Sequence, residues 1–309
     1  MKHFAMLVLT LLCAASLYAW VPPARGPKTN AAPTDGQRTW AEVKAAIEKS
    51  ISQTGLNDEG HYNDMGVLDL NGTLTEEEER TQIVLWSALC SPMLTVGDSA
   101  KWRASTRKLW ENRDLENVSQ DVVGHQAYPV AKQAGALALL KDCWGLNGTS
   151  KVITFYNPTE VAVDFELNFA DAELGGDVSV NDVIDQAPSQ KLKGSMKVLL
   201  PPHGAKVFRL FGQKALPRRR YDAFAGRAGL HGADLQFRHV YAPKFGTYRL
   251  RVLAPKDAAY GVQVNGLTVR KDCRGSVTLD VTFFRADNFV RIVSATQKVP
   301  QIEAIEIEQ

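Results

Sequence analysis

The chain has four cysteines in 309 residues and no CxxC pair. If a leader containing Cys13 is removed, Cys90, Cys143 and Cys273 remain. An odd number cannot all pair within one chain. They read as buried thiols, not as a metal or redox centre. The chain also lacks a GxSxG elbow, an HExxH helix, a P-loop and a paired zinc motif. No cofactor and no metal is therefore expected. His61, His125, His203, His231 and His239 stand apart from one another, and His203 is explained by the turn around it. Charge is almost balanced, with 36 Lys and Arg against 34 Asp and Glu and a net charge of +2. That excludes a broad electrostatic case for nucleic acid. The one dense basic cluster, Arg218-Arg219-Arg220, follows Pro217 and reads as a solvated linker.

The apolar run over 4–17, broken only by Thr10 and Ser16, spans about 14 residues and is too short for a comfortable membrane crossing. Lys2 and His3 precede it and the small Ala19 follows. The pattern is that of a secretory signal peptide over 1–19, which predicts a secreted or periplasmic protein with no membrane association once the leader is cleaved. A membrane anchor is the alternative. Cys13 invites a lipoprotein reading, against which Leu12 stands where a small residue is expected. Residues 20–38, rich in Pro, Gly, Ala, Asn and Thr, read as a linker.

Two helices announce themselves by capping boxes. Thr39 is followed three residues on by Glu42, and Thr75 by Glu78. Trp40, Val43, Ile47 and Ile51 share one face of the first helix. The second begins with four glutamates at 76–79, where the helix macrodipole favours them, so the acidic run is a helix start and not a metal site. It carries Ile83, Trp86 and Leu89 on one face and stops before Pro92. Residues 93–96 suit a short buried strand, and 104–110 a helix. Helix, strand, helix, strand, helix is the order of β/α units. Near residue 150 the period changes from 3.6 to 2. Val161, Val163, Phe165, Leu167 and Phe169 alternate with polar or small residues, a half-buried strand. Residues 151–156, 178–183, 196–200 and 205–211 read as further strands of an antiparallel sandwich. A second all-β unit starts near Tyr221. In it Asn265-Gly266 carries a type I′ hairpin signal, and 248–252 and 277–283 alternate.

Several segments bear a family likeness. Gly60-His61-Tyr62-Asn63-Asp64, then the run from Leu85-Trp86-Ser87 to Pro92-Met93-Leu94, then Asp98, then Ser119-Gln120-Asp121, and last the run from Pro201-Pro202-His203-Gly204 to Arg209-Leu210 occur in order. Over 40–210 they resemble the C-terminal half of glycoside hydrolase family 27, the α-galactosidase and melibiase family. The resemblance implies a multidomain chain: a partial (β/α)8 barrel contributing its last two β/α units over 39–148, an antiparallel β-sandwich domain over 149–212, a linker over 213–220, and a second C-terminal β-sandwich over 221–309. It implies retaining hydrolysis of terminal α-linked galactose, which needs two carboxylates roughly 5–5.5 Å apart. In the family these lie on strands 4 and 6, upstream of the helix that begins at Thr39 here, and nothing in this sequence resembles those strands. No catalytic residue is therefore assigned. Asp35 lies just before that helix, but Asp35-Gly36 reads as a turn.

By the same resemblance Tyr62, Asn63 and Asp64 are the candidate substrate-binding residues. Gly66 stands where the family has a sugar-holding Asp, and Val67 where Met is usual. The alternative for Asp64 is a carboxylate that satisfies backbone donors in a turn. About two β/α units cannot close a barrel. Ile83, Trp86 and Leu89 then need cover from the β domain or from a partner chain supplying the barrel strands.

Residues 218–309 are similar to carbohydrate-binding modules of families 6 and 35, through Tyr221-Asp222-Ala223-Phe224, Gly246-Thr247-Tyr248-Arg249-Leu250, Val264-Asn265-Gly266 and Asn288-Phe289-Val290-Arg291-Ile292. The module has no Trp, and Tyr241 or Tyr260 are its candidate stacking rings, with a core or strand-surface role as the alternative for each. The expectation is a secreted α-galactosidase-like protein of carbohydrate metabolism, truncated and inactive alone, with α-galactoside-containing glycans as partners. The alternatives are a non-catalytic glycan-binding protein or one half of a split enzyme.

Overall fold

A computed structural model describes residues 37–53, 62–96, 98–121, 125–143, 150–214, 220–223, 226–228, 234–296 and 298–308. The leader, Asp35-Gly36, Gly60-His61 and most of the 213–220 linker lie outside the described residues.

Among the described residues, four helices form the first layer: α1 (Trp40–Ser52), α2 (Glu76–Ala88), α3 (Ala104–Trp110) and α4 (Arg113–Ser119). Both capping boxes form. Thr39 Oγ1 accepts from the Glu42 N–H while the Glu42 carboxylate accepts from the Thr39 N–H, and Thr75 and Glu78 do the same. α2 is buried along nearly its whole length, including Glu79, Thr81 and Gln82 as well as Ile83, Trp86 and the C-capping Leu89. Glu79 is satisfied by Arg103 at 2.5 Å, the Thr106 hydroxyl at 2.6 Å and the Gly72 N–H at 3.1 Å. Glu79 is the buried partner of this pair, while Arg103 reaches solvent, so loss of Arg103 would leave a buried carboxylate less well compensated.

The expected parallel strands reduce to one bridge, Leu68 to Thr95, where the Leu68 N–H donates to the Leu94 carbonyl at 2.8 Å. Neither segment continues as a ladder, and Leu94 is exposed. Side chains serve the backbone of 65–71 instead. Arg38 donates to the carbonyls of Met65 and Val67, Ser91 Oγ accepts from Met65 N–H, Gln82 accepts from Asp69 N–H, and Trp86 Nε1 donates to the Gly66 carbonyl. Polar backbone that has no strand partner is thus still paired.

The sandwich comprises β1 (Tyr128–Gln133), β2 (Ala136–Asp142), β3 (Ser150–Tyr156), β4 (Val163–Asn168), β5 (Leu174–Asp182), β6 (Gln190–Lys193), β7 (Ser195–Leu200) and β8 (Ala205–Lys214). One sheet runs β1-β2-β3-β8-β5-β6; the other is the β4-β7 pair. The sandwich therefore begins before residue 149, the start expected from sequence. β1 and β2 belong to it, joined through Ala134-Gly135 with both residues at positive φ. Every residue of β3 is buried. Val152 and Tyr156 face the helices and pack in one cluster with Trp86, Ile47, Ala205 and Val207. Ile153 and Phe155 face the other way, against Phe165, Leu167 and Val198. The three layers are helices, six-stranded sheet, two-stranded sheet. The cover required by Ile83, Trp86 and Leu89 comes from the sheet within the same chain.

A second sandwich has its own core. β9 (Arg220–Asp222), β10 (Arg227–Ala228), β11 (Asp234–Ala242), β12 (Gly246–Leu253), β13 (Ala259–Val264), β14 (Leu267–Arg274), β15 (Val277–Phe283), β16 (Ala286–Ser294) and β17 (Ala304–Glu308) form sheets β10-β11-β16-β13-β14 and β15-β12-β17-β9. Tyr248, Leu250, Val262, Phe283, Val290 and Ile292 fill the space between them. Asn265 and Gly266 take the positive φ of a type I′ turn. The edge strand β14 exposes nearly all its side chains, among them Arg270, Lys271, Asp272 and Arg274, and charge protects such an edge from pairing.

His203 joins the helices to the first sandwich. It sits at positive φ in the turn before β8, stacks on Trp40 at 4.6 Å, and places Nδ1 2.8 Å from Glu78 Oε1 and Nε2 2.9 Å from Glu160 Oε2. Its backbone carbonyl accepts from the Thr81 hydroxyl at 2.7 Å. The Glu78 carboxyl is held below the usual carboxylate range. Burial opposes its ionisation, but hydrogen bonds from the Thr75 N–H, His203 and the Thr75 hydroxyl outweigh burial. A depressed folded pKa contributes stability that is complete above the ordinary Glu value, about 4.3, and lost as pH falls through the folded value. Glu78→Gln is expected to cost about 1–3 kcal/mol at pH 7. It should also flatten the fall of the urea midpoint between pH 7 and about pH 3.5. An unchanged acid slope in the variant would contradict this role.

Candidate functional site

The three residues singled out by sequence lie on the segment that leads from α1 to the Leu68 bridge. Asn63 spends its amide on structure: Nδ2 donates to the Gln53 carbonyl at 3.0 Å and to Gln126 Oε1 at 2.9 Å. Gln126, itself buried, donates to the Ser50 carbonyl at 2.8 Å. The end of α1, the motif and the approach to β1 are thereby tied together. Asp64 is exposed, and its Oδ1 accepts from the Gly66 N–H at 2.8 Å. Gly66 has φ +84°, a conformation disfavoured for residues with a Cβ, so the Asp usual in the family would be strained there. Tyr62 is half-buried beside them. Asp64 thus caps this turn through the Gly66 N–H.

Asp98, the other family-matched carboxylate, is exposed and caps a single turn at Ser99–Lys101, accepting from the Ala100 N–H at 2.9 Å. Asp69 is fully buried and holds the Arg38 N–H at 2.8 Å and the Asn71 N–H at 3.1 Å. Arg38 lies 5.5 Å from the centre of the Trp86 ring; burial lowers its pKa, against the opposing pull of Glu42 and Asp69. All three carboxylates serve backbone donors. Among the described residues, no group of three or more His, Cys, Asp or Glu is placed to hold a metal ion.

A cleft of about 600 Å³ opens between α3, α4 and the loop after β5. Trp102, Arg107, Lys108 and Glu111 line it from the helices, and Asp185 and Gln186 from the loop. Asn112 fixes that loop by donating to the Val183 carbonyl at 3.0 Å. Tyr62, Asn63 and Asp64 do not line the cleft. It lies against helix surfaces with charges of both signs, not at the ends of parallel strands where a barrel builds its chemistry. Sequence reading gave no signal for it, because its residues come together only through packing.

In the second sandwich, Tyr260 is not a stacking platform. It is buried at 1% exposure, and its hydroxyl donates to the Gly275 carbonyl at 2.6 Å. The Tyr241 side chain lies outside the described residues. Among the described residues of this sandwich the exposed rings are Phe245, at 68%, and Phe284, at 56%, with centroids 6.0 Å apart. Both loops are anchored. The Tyr248 hydroxyl donates to the Lys244 carbonyl at 2.9 Å, and buried Asn288 accepts from the Phe284 N–H at 2.8 Å while donating to the Phe284 carbonyl at 3.0 Å.

Helices on a six-stranded sheet, with the second face of that sheet closed by a two-stranded one, make up the described residues between 37 and 210. Residues 144–210 match the family model of the alpha galactosidase C-terminal beta sandwich domain. The chain is 24% identical over 162 residues to alpha-galactosidase A of Cellvibrio japonicus, covering 49% of this chain and 39% of that protein. It is 23% identical over 186 residues to alpha-galactosidase 2 of Arabidopsis thaliana, covering 59% and 46%. In fold it is similar to alpha-galactosidase I of Mortierella vinacea, with a TM-score of 0.51 and 20% identity over 56% of this chain and 46% of that one. These likenesses support a relationship to the C-terminal part of glycoside hydrolase family 27. The chain spans less than half the length of these relatives.

Proposed function

We propose that this chain is an α-galactosidase-like protein of carbohydrate metabolism that does not hydrolyse α-galactosides by itself. The observation that carries this reading is the state of its family-matched carboxylates. Asp64 and Asp98 are exposed and each caps a turn, and the barrel segments near them meet in one bridge. Retaining hydrolysis requires a nucleophile and an acid/base facing each other across the sugar, and nothing in the sequence resembles the family strands that supply them. The leader pattern at 1–19 supports export. In this reading Tyr62, Asn63 and Asp64 mark the ancestral sugar side of the scaffold. The purified chain is expected to release no nitrophenol from nitrophenyl α-galactoside above the buffer rate. Turnover that disappears in Asp64→Asn would overturn the proposal.

A second reading, a non-catalytic glycan-binding role, is favoured by the Phe245–Phe284 pair. Two large rings held in water by anchored loops run against the hydrophobic effect, and aromatic faces suit the apolar face of a sugar ring. Titration of the full chain with galactomannan or galactan is expected to show binding that Phe245→Ala with Phe284→Ala weakens about tenfold or more, a loss of ~1.4 kcal/mol. Flat titrations, or equal affinity for the double variant, would remove this role.

A further inference from the structure

Cys90 and Lys141 form a buried pair that none of the functions above uses. Cys90 follows the C-cap of α2 in a left-handed conformation, φ +52°. Its Sγ lies 2.8 Å from Lys141 Nζ. Lys141 projects from β2, is fully buried, and also donates to the His125 carbonyl at 2.8 Å. That same carbonyl lies 3.4 Å from Cys90 Sγ. Lysine is almost never fully buried without a specific partner, and a buried cysteine alone is inert. Here the amine and thiol are fixed in mutual contact, and Cys90 keeps 7% of its surface open to solvent.

We propose that Cys90 and Lys141 are a redox modification site that closes into a sulfur–nitrogen cross-link when a hydroperoxide oxidises the thiol. In the first step the S–H and O–O bonds break and an S–OH bond forms, giving cysteine sulfenic acid and releasing one water. Sulfenic acids condense with nearby nitrogen or thiol nucleophiles. In the second step the deprotonated Lys141 nitrogen attacks the sulfur, and the hydroxyl leaves as water with an amine proton. The protein loses two hydrogens and the hydrogen peroxide becomes two waters. The thiol is oxidised, the peroxide is reduced, and two equivalents of an external thiol reverse the link. The product ties the end of α2 to β2, and hence the helical layer to the sheet it covers. The competing thiol at Cys143 is pushed up to about 11, chiefly by burial, and so supplies little thiolate for the same oxidation.

The test is mass spectrometry on the full chain treated with hydrogen peroxide. Proteolysis should yield a Cys90–Lys141 peptide pair about 2 Da lighter than the sum of its free peptides, by the two hydrogens lost in forming such a sulfenamide. Dithiothreitol should remove it, and Lys141→Met and Cys90→Ser should not form it. The oxidised wild type should also show a higher urea midpoint than the reduced protein. The wild-type mapping decides the matter even if a variant fails to fold. Cys90 found only as sulfenic, sulfinic or sulfonic acid, or still fully alkylated after peroxide and denaturation, would overturn the proposal.

Discussion

Strand β3 has no face in water, and the arrangement of the described residues between 37 and 210 follows from covering both of its sides. A sandwich strand ordinarily shows one face to the partner sheet and one to solvent, and β4 does so, with Val163, Phe165 and Leu167 inside and Asp164, Glu166 and Asn168 outside. In β3 the outer positions are Val152, Thr154 and Tyr156. Burying each large apolar side chain contributes about 1.5–3 kcal/mol relative to leaving it exposed. α2 lies over β3 and β8 and meets that need, and its own Trp86 and Ile83 are buried by the same contact. The helices and sandwich are one packed unit: Glu79 and Arg103 hold α2 to α3, and Glu78 and Thr81 hold it to His203 in the turn before β8.

Much of this is local enough to read from sequence. A capping box needs only four residues, so Thr39 with Glu42 and Thr75 with Glu78 declare both long helices. Alternation at 163–168 and the Asn265-Gly266 turn declare strands in the same way. The β1–β2 hairpin is hidden because Ala134-Gly135 carries no customary turn signal and β2 is rich in Ala and Leu, which suit helices as well. The fate of Glu79 is hidden for another reason. In the run 76–79 all four glutamates suit a helix N-terminus, and only Arg103 and Thr106, distant in sequence, distinguish Glu79, the one that is fully buried. The apolar segment at 93–96 reads as a strand, but a strand needs a ladder, and one bridge is all the described residues give it.

The same logic sorts the candidate site residues. Asp64, Asp98 and Asp69 each serve backbone donors, which a carboxylate does at low cost and which motif matching cannot distinguish from sugar binding. Tyr260 shares its strand face with Val262 and Val264, so its burial was already written in the period of β13. Phe245 and Phe284 sit in turns, outside any period, and only their loop anchors reveal that their exposure is maintained.

The central claim is that α2 and β3 belong to one cooperative unit closed by mutual burial. Native-state hydrogen exchange followed by mass spectrometry tests it directly, since regions that open together share one free energy of protection. Amides of α2 and β3 are expected to exchange in a single cooperative opening with equal protection. Fast exchange throughout α2 while β3 stays protected would show a helix merely resting on a self-sufficient sandwich, and would contradict the account.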